Sequence, residues 1–255
     1  MGSSRSEPRD AQRERSGLRG RGLRELALFG GAYLAYDASR WIFAGDADVA
    51  EDHATRLIAF ERSLGLAVEG TIQRALDSGF ASAFLANVYL AAQLAVLPAA
   101  LVWLYHRAPA VYRRLRTTVI ATWLVAVPVF ALYPVAPPRL AHIGLVDTVS
   151  DQAAVALTGH STIFYNPYAA VPSLHVGFAF AIGVAAYAAI RTPWARLAAL
   201  LWGPLVTVAV IATGNHYLLD VLAGLAATAA GYGAALAVAR LGPPGGRATI
   251  LPQRR

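Results

Sequence analysis

The sequence predicts an all-α protein, a polytopic membrane helix bundle with about six transmembrane helices and an additional amphipathic helical segment. Two observations support this prediction. Of the 255 residues, 56% are hydrophobic and only 15% are charged, whereas soluble domains have about 25% charged residues. The apolar residues are also gathered into segments of about 20 residues, the length with which an α-helix crosses a bilayer.

Six apolar segments are each long enough to cross a membrane once. They lie near residues 25–44, 81–105, 117–135, 172–190, 195–214 and 216–239. Residues 46–80 are different, because charged residues recur among Leu and Ile. This pattern predicts an amphipathic extracytoplasmic helical segment that lies at the interface or caps the bundle. Residues 136–171 contain Pro, His, Asp and Asn and are expected to form a polar loop.

The chain is expected to contain one structured domain between two tails. Residues 1–24 are rich in Arg, Ser and Gly and predict a disordered cytoplasmic tail. Residues 25–240 form the six-span membrane domain, and residues 241–255 predict a flexible cytoplasmic tail because Pro and Gly follow the last apolar segment.

The arginines predict the orientation of the spans. All 22 basic residues are arginines, and the formal net charge is +7. Most of them lie in the two tails or in two connections, one between the second and third spans and one between the fourth and fifth. The positive-inside rule places these regions in the cytoplasm. We therefore expect a multi-pass plasma membrane protein with both termini cytoplasmic. Because these clusters separate apolar segments, nucleic acid is not an expected partner.

Three polar segments then fall on the extracytoplasmic side, at the ends of predicted spans. They are "YPVAPPRL" at 133–140, "VPSLH" at 171–175 and "GNHYLLD" at 214–220. Packing of the helices can bring these segments together into one pocket. The chain contains no Cys, which excludes disulfides and cysteine nucleophiles.

The third segment contains a histidine and a carboxylate at helical spacing. His216 and Asp220 are four residues apart, so on a helix they share a face and can hydrogen-bond. A carboxylate in an apolar run needs a partner, and a bond to one imidazole nitrogen would leave the other free to attack or bind. A His–Asp pair that merely caps a helix explains these two residues equally well.

The other two segments supply groups that suit an anion. Ser173 and His175 follow Pro172 at a predicted helix start, where backbone N–H groups point outwards. Arg139 offers a planar fork of donors suited to phosphate. Individually, Ser173 and His175 are more simply explained by capping at an interface, and Arg139 by a contact with lipid headgroups. Together with His216 they predict a phosphate pocket with two histidines.

A metal site is a weaker alternative. His175, His216 and Asp220 could form a ligand set for zinc or iron. Such a site would not account for Arg139 or for the Pro-Ser helix start, so we expect neither a metal nor another cofactor.

At these residues the sequence resembles the type-2 phosphatidic acid phosphatase superfamily. Its motifs are K-x6-R-P, P-S-G-H and S-R-x5-H-x3-D in a six-helix membrane core. "PSLH" at 172–175 corresponds to the second motif, and "HYLLD" at 216–220 to the end of the third. "YPVAPPR", "NPYAAVPSLHV" and "TGNHYLLDVLAG" are similar to the inositol phosphorylceramide synthase-like branch of inositolphosphotransferases, and the resemblance spans roughly residues 25–240.

The resemblance implies a role for each catalytic or binding residue. His216 would be the nucleophile that takes the phosphoryl group, Asp220 would orient it, and His175 would protonate the leaving alcohol. Ser173 and Arg139 would hold the phosphate oxygens.

The chain departs from the family pattern in two positively charged positions. The motif lysine has no counterpart, because Leu132 stands seven residues before Arg139, and the S-R pair of the third motif falls on Ala209 and Val210. Arg40 could complete the phosphate clamp from the outer end of the first span. An i,i+3 ion pair with Asp37 is the simpler explanation of Arg40.

Together these observations predict a lipid phosphatase or phosphotransferase that acts at the outer membrane face through a phosphohistidine. Its partners would be a lipid phosphate substrate, membrane lipids and, for transfer, an alcohol acceptor such as inositol. Two alternatives remain: a non-catalytic protein that binds lipid phosphate, suggested by the missing Lys and Arg, and a proton-coupled transporter that uses His and Asp as a relay.

Overall fold

The computed structural model describes Gly20, residues 22–36, Ala38, and residues 46–152 and 168–241. The chain divides into two units, Met1–Phe43 and Ala44–Arg255. Residues 22–36 of the first unit are helical, so the first predicted span, 25–44, is helical as far as it is described. The helices below belong to the second unit.

The predicted amphipathic segment forms two helices, α1 (Ala47–Ser63) and α2 (Glu69–Ala75). Asp46 caps α1, where its carboxylate accepts a hydrogen bond from the Asp48 N–H at 2.9 Å. One face of α1 is apolar and buried, and it packs against the chain around Val135 and Tyr217. The two helices therefore cover one end of the bundle, the end where the polar segments lie.

The next span is a single rod with an irregular turn in its middle. It consists of α3 (Gly79–Ala91), a π-helical turn at Ala92–Val96, and α4 (Leu97–Arg107). Pro98 follows the π-helical turn and has no N–H to donate, so the regular hydrogen-bond ladder is interrupted here. The π-helical turn maintains the helix across the break.

The remaining helices are α5 (Pro109–Leu132), the short α6 (Thr148–Gln152), α7 (Leu174–Ala189), α8 (Pro193–Ala212) and α9 (Leu218–Leu241). α9 packs against α5 and α7, and α7 packs against α8. Near the start of α7, helix α9 has Gly224, where an added Cβ would lie 2.2 Å from the Ser173 carbonyl oxygen. The absence of a side chain at Gly224 lets the two helices approach closely there.

Four helices are long and apolar enough to cross a membrane: Gly79–Arg107, Pro109–Leu132, Pro193–Ala212 and Leu218–Leu241. An apolar helix of 16 residues, α7, stands where the sequence predicts the span 172–190. Within the described ranges the chain has no strand beyond an isolated bridge between Val135 and Ala169. The all-α, membrane-embedded class is thus confirmed, and about six remains the predicted number of spans.

Two helix boundaries differ from the predicted ones. α5 begins at Pro109 rather than near 117, so Arg113, Arg114 and Arg116 lie in its first turns and not in a connection. Proline suits the first helical position and arginine is a good helix former, which explains the early start. α9 begins at Leu218, so His216 precedes the last span rather than opening it.

Candidate active site

Three chain segments that are far apart in sequence are joined by backbone hydrogen bonds at one end of the bundle. The Arg139 N–H donates to the Gly214 carbonyl at 2.9 Å, and the Ser173 N–H donates to the Asp220 carbonyl at 3.0 Å. The Val135 N–H donates to the Tyr168 carbonyl at 2.8 Å. The end of α5, the start of α7 and the α8–α9 connection, which contain the three predicted polar segments, therefore form one structural unit.

His216 is buried, and its ring is held by acceptors on one side. Its Nδ1 lies 3.0 Å from the Ala170 carbonyl oxygen and 3.3 Å from Oδ2 of Asp220. A backbone carbonyl can only accept a hydrogen bond, so Nδ1 carries the hydrogen. Nε2 is then the nitrogen with the unshared electron pair.

The surroundings of His216 keep its ring neutral. Burial lowers the pKa of His216 from 6.5 to about 4; the bond to the Ala170 carbonyl opposes this shift, and the positive charge of Arg139 adds to it. At neutral pH the imidazole is therefore uncharged, the form in which Nε2 can act as a nucleophile.

Asp220 is fully buried and contacts the backbone as well as His216. Its Oδ2 also accepts a hydrogen bond from the Tyr217 N–H at 2.9 Å. Asp220 is the third residue of α9 and reaches back to the residue before the helix, as an acid in a capping box does. Asp220 thus does both things that the spacing allows: it caps the helix and it contacts the histidine.

His175 lies in the first turn of α7, near His216. The two imidazole ring centres are 5.9 Å apart. The ring of His175 stacks on Tyr89 of α3, with 4.2 Å between centres and 17° between planes. This stacking fixes the orientation of the His175 ring.

Arg139 is held by two polar partners. Its Nε donates to Oδ1 of Asn215 at 2.9 Å, and its Nη1 lies 3.4 Å from Oδ2 of Asp147. Asn215 is itself oriented by Thr213, whose carbonyl and hydroxyl oxygens both accept from Nδ2. Asn215 directly precedes His216 in the sequence, so the bond to Asn215 holds the Arg139 guanidinium close to His216.

Ser173 caps α7. Its hydroxyl oxygen lies 3.5 Å from the Val176 N–H, and the residue is fully buried. An oxygen that accepts this bond can still donate its own hydrogen to an anion. The capping interpretation of Ser173 is therefore confirmed, and contact with phosphate stays a prediction.

A cavity of about 290 Å³ opens beside these residues. It contains Arg139 and His175 and is otherwise lined by Tyr89, Leu90, Gln93, Leu94, Asp147, Val149, Ser150 and Asn215. Its wall thus combines a guanidinium and an imidazole with an apolar side formed by α3 and the π-helical turn. A larger apolar groove of about 430 Å³ lies among α5, α7 and α9 and contains none of the predicted site residues.

Of the predicted site residues, the structure brings together Arg139, Ser173, His175, His216 and Asp220, while Arg40 lies outside the described residues. Sequence reasoning missed Asn215 and Asp147, which hold Arg139, and Tyr89, which stacks on His175. Asn215 lies in the predicted polar segment 214–220, directly before His216, and this position is the feature of the sequence that could have identified it. Among residues 46–152 and 168–241 no three His, Asp or Glu side chains are arranged to hold a metal ion.

Comparison with known proteins gives one match. A family model described as the PAP2 superfamily matches residues 55–234, more than two thirds of the chain. The matched range contains every predicted site residue except Arg40. No curated protein and no solved structure was found to match the chain.

Proposed function

The chain belongs to the PAP2 superfamily, and on that premise we propose that it is a membrane-embedded lipid phosphatase or phosphotransferase that works through a phosphohistidine. The observation that carries the proposal is the state of His216. Its ring is neutral, and its Nδ1 hydrogen is directed to the Ala170 carbonyl and to Asp220. The electron pair on Nε2 is thus left for attack on phosphorus.

The reaction proceeds in two balanced steps. In the first, Nε2 of His216 forms a bond to phosphorus and the bond from phosphorus to the lipid alcohol oxygen breaks. That oxygen takes its proton from His175, which becomes protonated once the negatively charged phosphate is bound beside it. In the second, His175 takes a proton from the acceptor, the acceptor oxygen attacks phosphorus, and the bond to His216 breaks. Both histidines then return to their starting states.

Arg139 and the start of α7 supply the positive field for the phosphate. The guanidinium is held by Asn215 in the cavity that also contains His175. The first N–H groups of a helix lack partners within the helix and favour an anion, so the Ser173 end of α7 is suited to the phosphate oxygens. Arg40 is proposed as a further contact with the phosphate.

The second step determines whether the product is that of hydrolysis or of transfer. Water as acceptor releases phosphate, and an alcohol such as inositol yields a phospho-alcohol. The likeness of the three segments to the inositol phosphorylceramide synthase-like branch favours transfer. We propose that the reaction occurs at the outer face of the plasma membrane, with both termini in the cytoplasm.

The test uses the purified protein with phosphate-labelled lipids, with and without inositol, followed by product identification. We expect release or transfer of label and an acid-labile protein-bound phosphate. His216→Ala should remove both, while His106→Gln, at an exposed position near the end of α4, should retain both. A protein that binds lipid phosphate without turnover, or a His216→Ala variant as active as the parent, would overturn the proposal.

A further inference from the structure

Helices α1 and α2 each bury a carboxylate. The exposed fraction is 0% for Glu61 and 2% for Glu69. Glu61 belongs to the apolar face of α1, where it follows Leu57 and Ile58 at helical spacing. Charged groups are almost never fully buried unless they are paired, so these two positions require an explanation.

Both carboxylates are directed at the first turn of α9. Oε1 of Glu69 accepts from the Leu218 N–H at 2.9 Å, and Oε1 of Glu61 accepts from the Leu219 N–H at 2.7 Å. The preceding N–H, of Tyr217, is bonded to Asp220. Three successive amides are thus each bonded to a different carboxylate, and these are amides that have no partner within their own helix.

The neighbouring acids make ionisation of Glu61 unfavourable. Burial raises the pKa of Glu61 from 4.5 to about 8; the Leu219 N–H opposes this shift, and the negative charges of Glu69 and Asp220 add to it. The second oxygen of Glu61, Oε2, has no hydrogen-bond partner within the described chain and is able to carry a proton. Burial and the same three acids raise the pKa of Tyr217, which lies among them.

We propose that Glu61 and Glu69 are positioning residues of the phosphoryl-transfer site: Glu61 carries a proton, and the two carboxyl groups together hold the first turn of α9, and with it His216 and Asp220. The inference rests on the proposed function for its kinetic consequence. Its structural part, a protonated Glu61 that caps α9 together with Glu69 of a second helix, does not depend on which reaction is catalysed.

The proposal predicts a dependence of stability on pH. Glu61 keeps its proton in the folded protein between pH 4.5 and about 8, whereas the unfolded chain has released it. The contribution of Glu61 to the free energy of unfolding therefore falls as pH rises through this window and becomes level above it, whereas buried His216 contributes in the opposite direction between about pH 4 and 6.5. The groups that face Glu61 are Glu69 from α2, Tyr217 from the α8–α9 connection, and Asp220 from α9, which is bonded to His216.

The experiment compares Glu61→Gln, Glu61→Ala and Asp52→Asn, the last an exposed acid on the same helix. Glu61→Gln keeps an acceptor for the Leu219 N–H and stays neutral, so we expect most of kcat at pH 7. The stability of the parent protein relative to Glu61→Gln should fall as pH rises from 5 to 8. Glu61→Ala loses the acceptor, and we expect about a tenfold fall in kcat with KM changed less than about twofold. Asp52→Asn should behave as the parent protein.

Amide hydrogen exchange at Leu218 and Leu219 supplies a measurement that is independent of turnover. Exchange should be faster in Glu61→Ala than in the parent and near the parent rate in Glu61→Gln. If Glu61→Ala does not fold, the stability profile of Glu61→Gln still decides the question. A Glu61→Gln profile that keeps the parent pH dependence, or a folded Glu61→Ala variant with unchanged kcat and exchange, would overturn the inference.

Failure of this inference is distinguishable from failure of the proposed function. If the parent protein turns over no lipid phosphate, the proposed function fails, while the stability and exchange measurements still test the acid pair. If the parent is active and the two Glu61 variants are unchanged in every measurement, only the positioning role is wrong.

Discussion

At the scale of single residues, the neutral state of His216 follows from contacts on one side of its ring. The Ala170 carbonyl lies 3.0 Å from Nδ1, and removal of the ring from water disfavours its charged form more than that carbonyl favours it. A histidine free in water would be partly charged near pH 6.5 and would lose the electron pair on Nε2.

Ring NMR of His216 should therefore show no protonation until pH falls to about 4, the value to which its pKa is lowered mainly by burial. The measurement is a nitrogen-15 titration of the labelled protein in detergent micelles. The His216→Gln variant identifies the signal by its loss. A midpoint near 6.5 would mean that the ring is exposed to water.

If Arg139 binds phosphate as proposed, Asp147 competes with phosphate for its guanidinium. Its Oδ2 is 3.4 Å from Nη1, and about a quarter of its side chain is exposed, at 26%. Asp147→Asn keeps the size of the side chain and removes the charge, so inorganic phosphate should inhibit about two- to fivefold more strongly, as expected for a partly exposed ion pair.

The measurement is the inhibition constant of phosphate. The control is Asp151→Asn, an exposed acid in α6, the short helix that Asp147 precedes. Weaker inhibition by phosphate in Asp147→Asn would mean instead that the carboxylate is needed to orient Arg139.

Residue spacing was enough to find the His216–Asp220 pair and not enough to find Asn215 or Glu61. The pair is visible because a helix places residues four apart on one face. Asn215 lies in a connection, which has no period, and its contact with Arg139 joins positions 76 residues apart. Glu61 looks like one more charge on an amphipathic helix until its burial is known.

At the scale of elements, the approach of α7 to α9 determines where His175 and Ser173 lie. An added methyl group at Gly224 would lie 2.2 Å from the Ser173 carbonyl oxygen, whereas at Gly233, farther along α9, nothing lies within 4 Å. The two glycines form a matched pair on one helix.

Gly224→Ala should separate the start of α7 from α9, lower the free energy of unfolding by about 1–3 kcal/mol and reduce turnover at least tenfold. Gly233→Ala should leave turnover unchanged and increase stability slightly, because alanine favours helix. Thermal unfolding and phosphate release, measured together in detergent, check both variants. Equal behaviour of the two would show that the close contact does not position the site.

The element order was largely predictable, since apolar length and charge clusters mark the helices. The early start of α5 was not, because three arginines next to an apolar segment are as typical of a cytoplasmic connection as of a helix start. Their long apolar stems allow such residues to remain helical while their charges reach water.

At the scale of the whole molecule, the ends of α5 and α8 and the starts of α7 and α9 lie at one end of the bundle, as their backbone hydrogen bonds require. Only residues 190–192 connect α7 to α8, so α7 runs from the site end towards the opposite end. The site end is the one that we propose to face outwards.

Single cysteines can test this orientation, because the natural chain has none. His142→Cys, in the exposed loop after Arg139, should react with a membrane-impermeant maleimide in intact cells. His106→Cys lies near the end of α4, close to the start of α5 and therefore at the end of the bundle opposite the site. It should react only after the cells are made permeable. The reverse pattern of labelling would place the site in the cytoplasm.

Because of the π-helical turn at Ala92–Val96, the position of the cavity wall depends on the exact number of residues in this span. A π-helical turn is an α-helix with one residue inserted, and each residue of an α-helix turns the chain by about 100°. A one-residue deletion there would make the rod regular, but it would rotate Tyr89 away from His175 while α4 stayed packed on α5. Length variation in this span would therefore alter the cavity wall even if every residue that contacts the phosphate were kept.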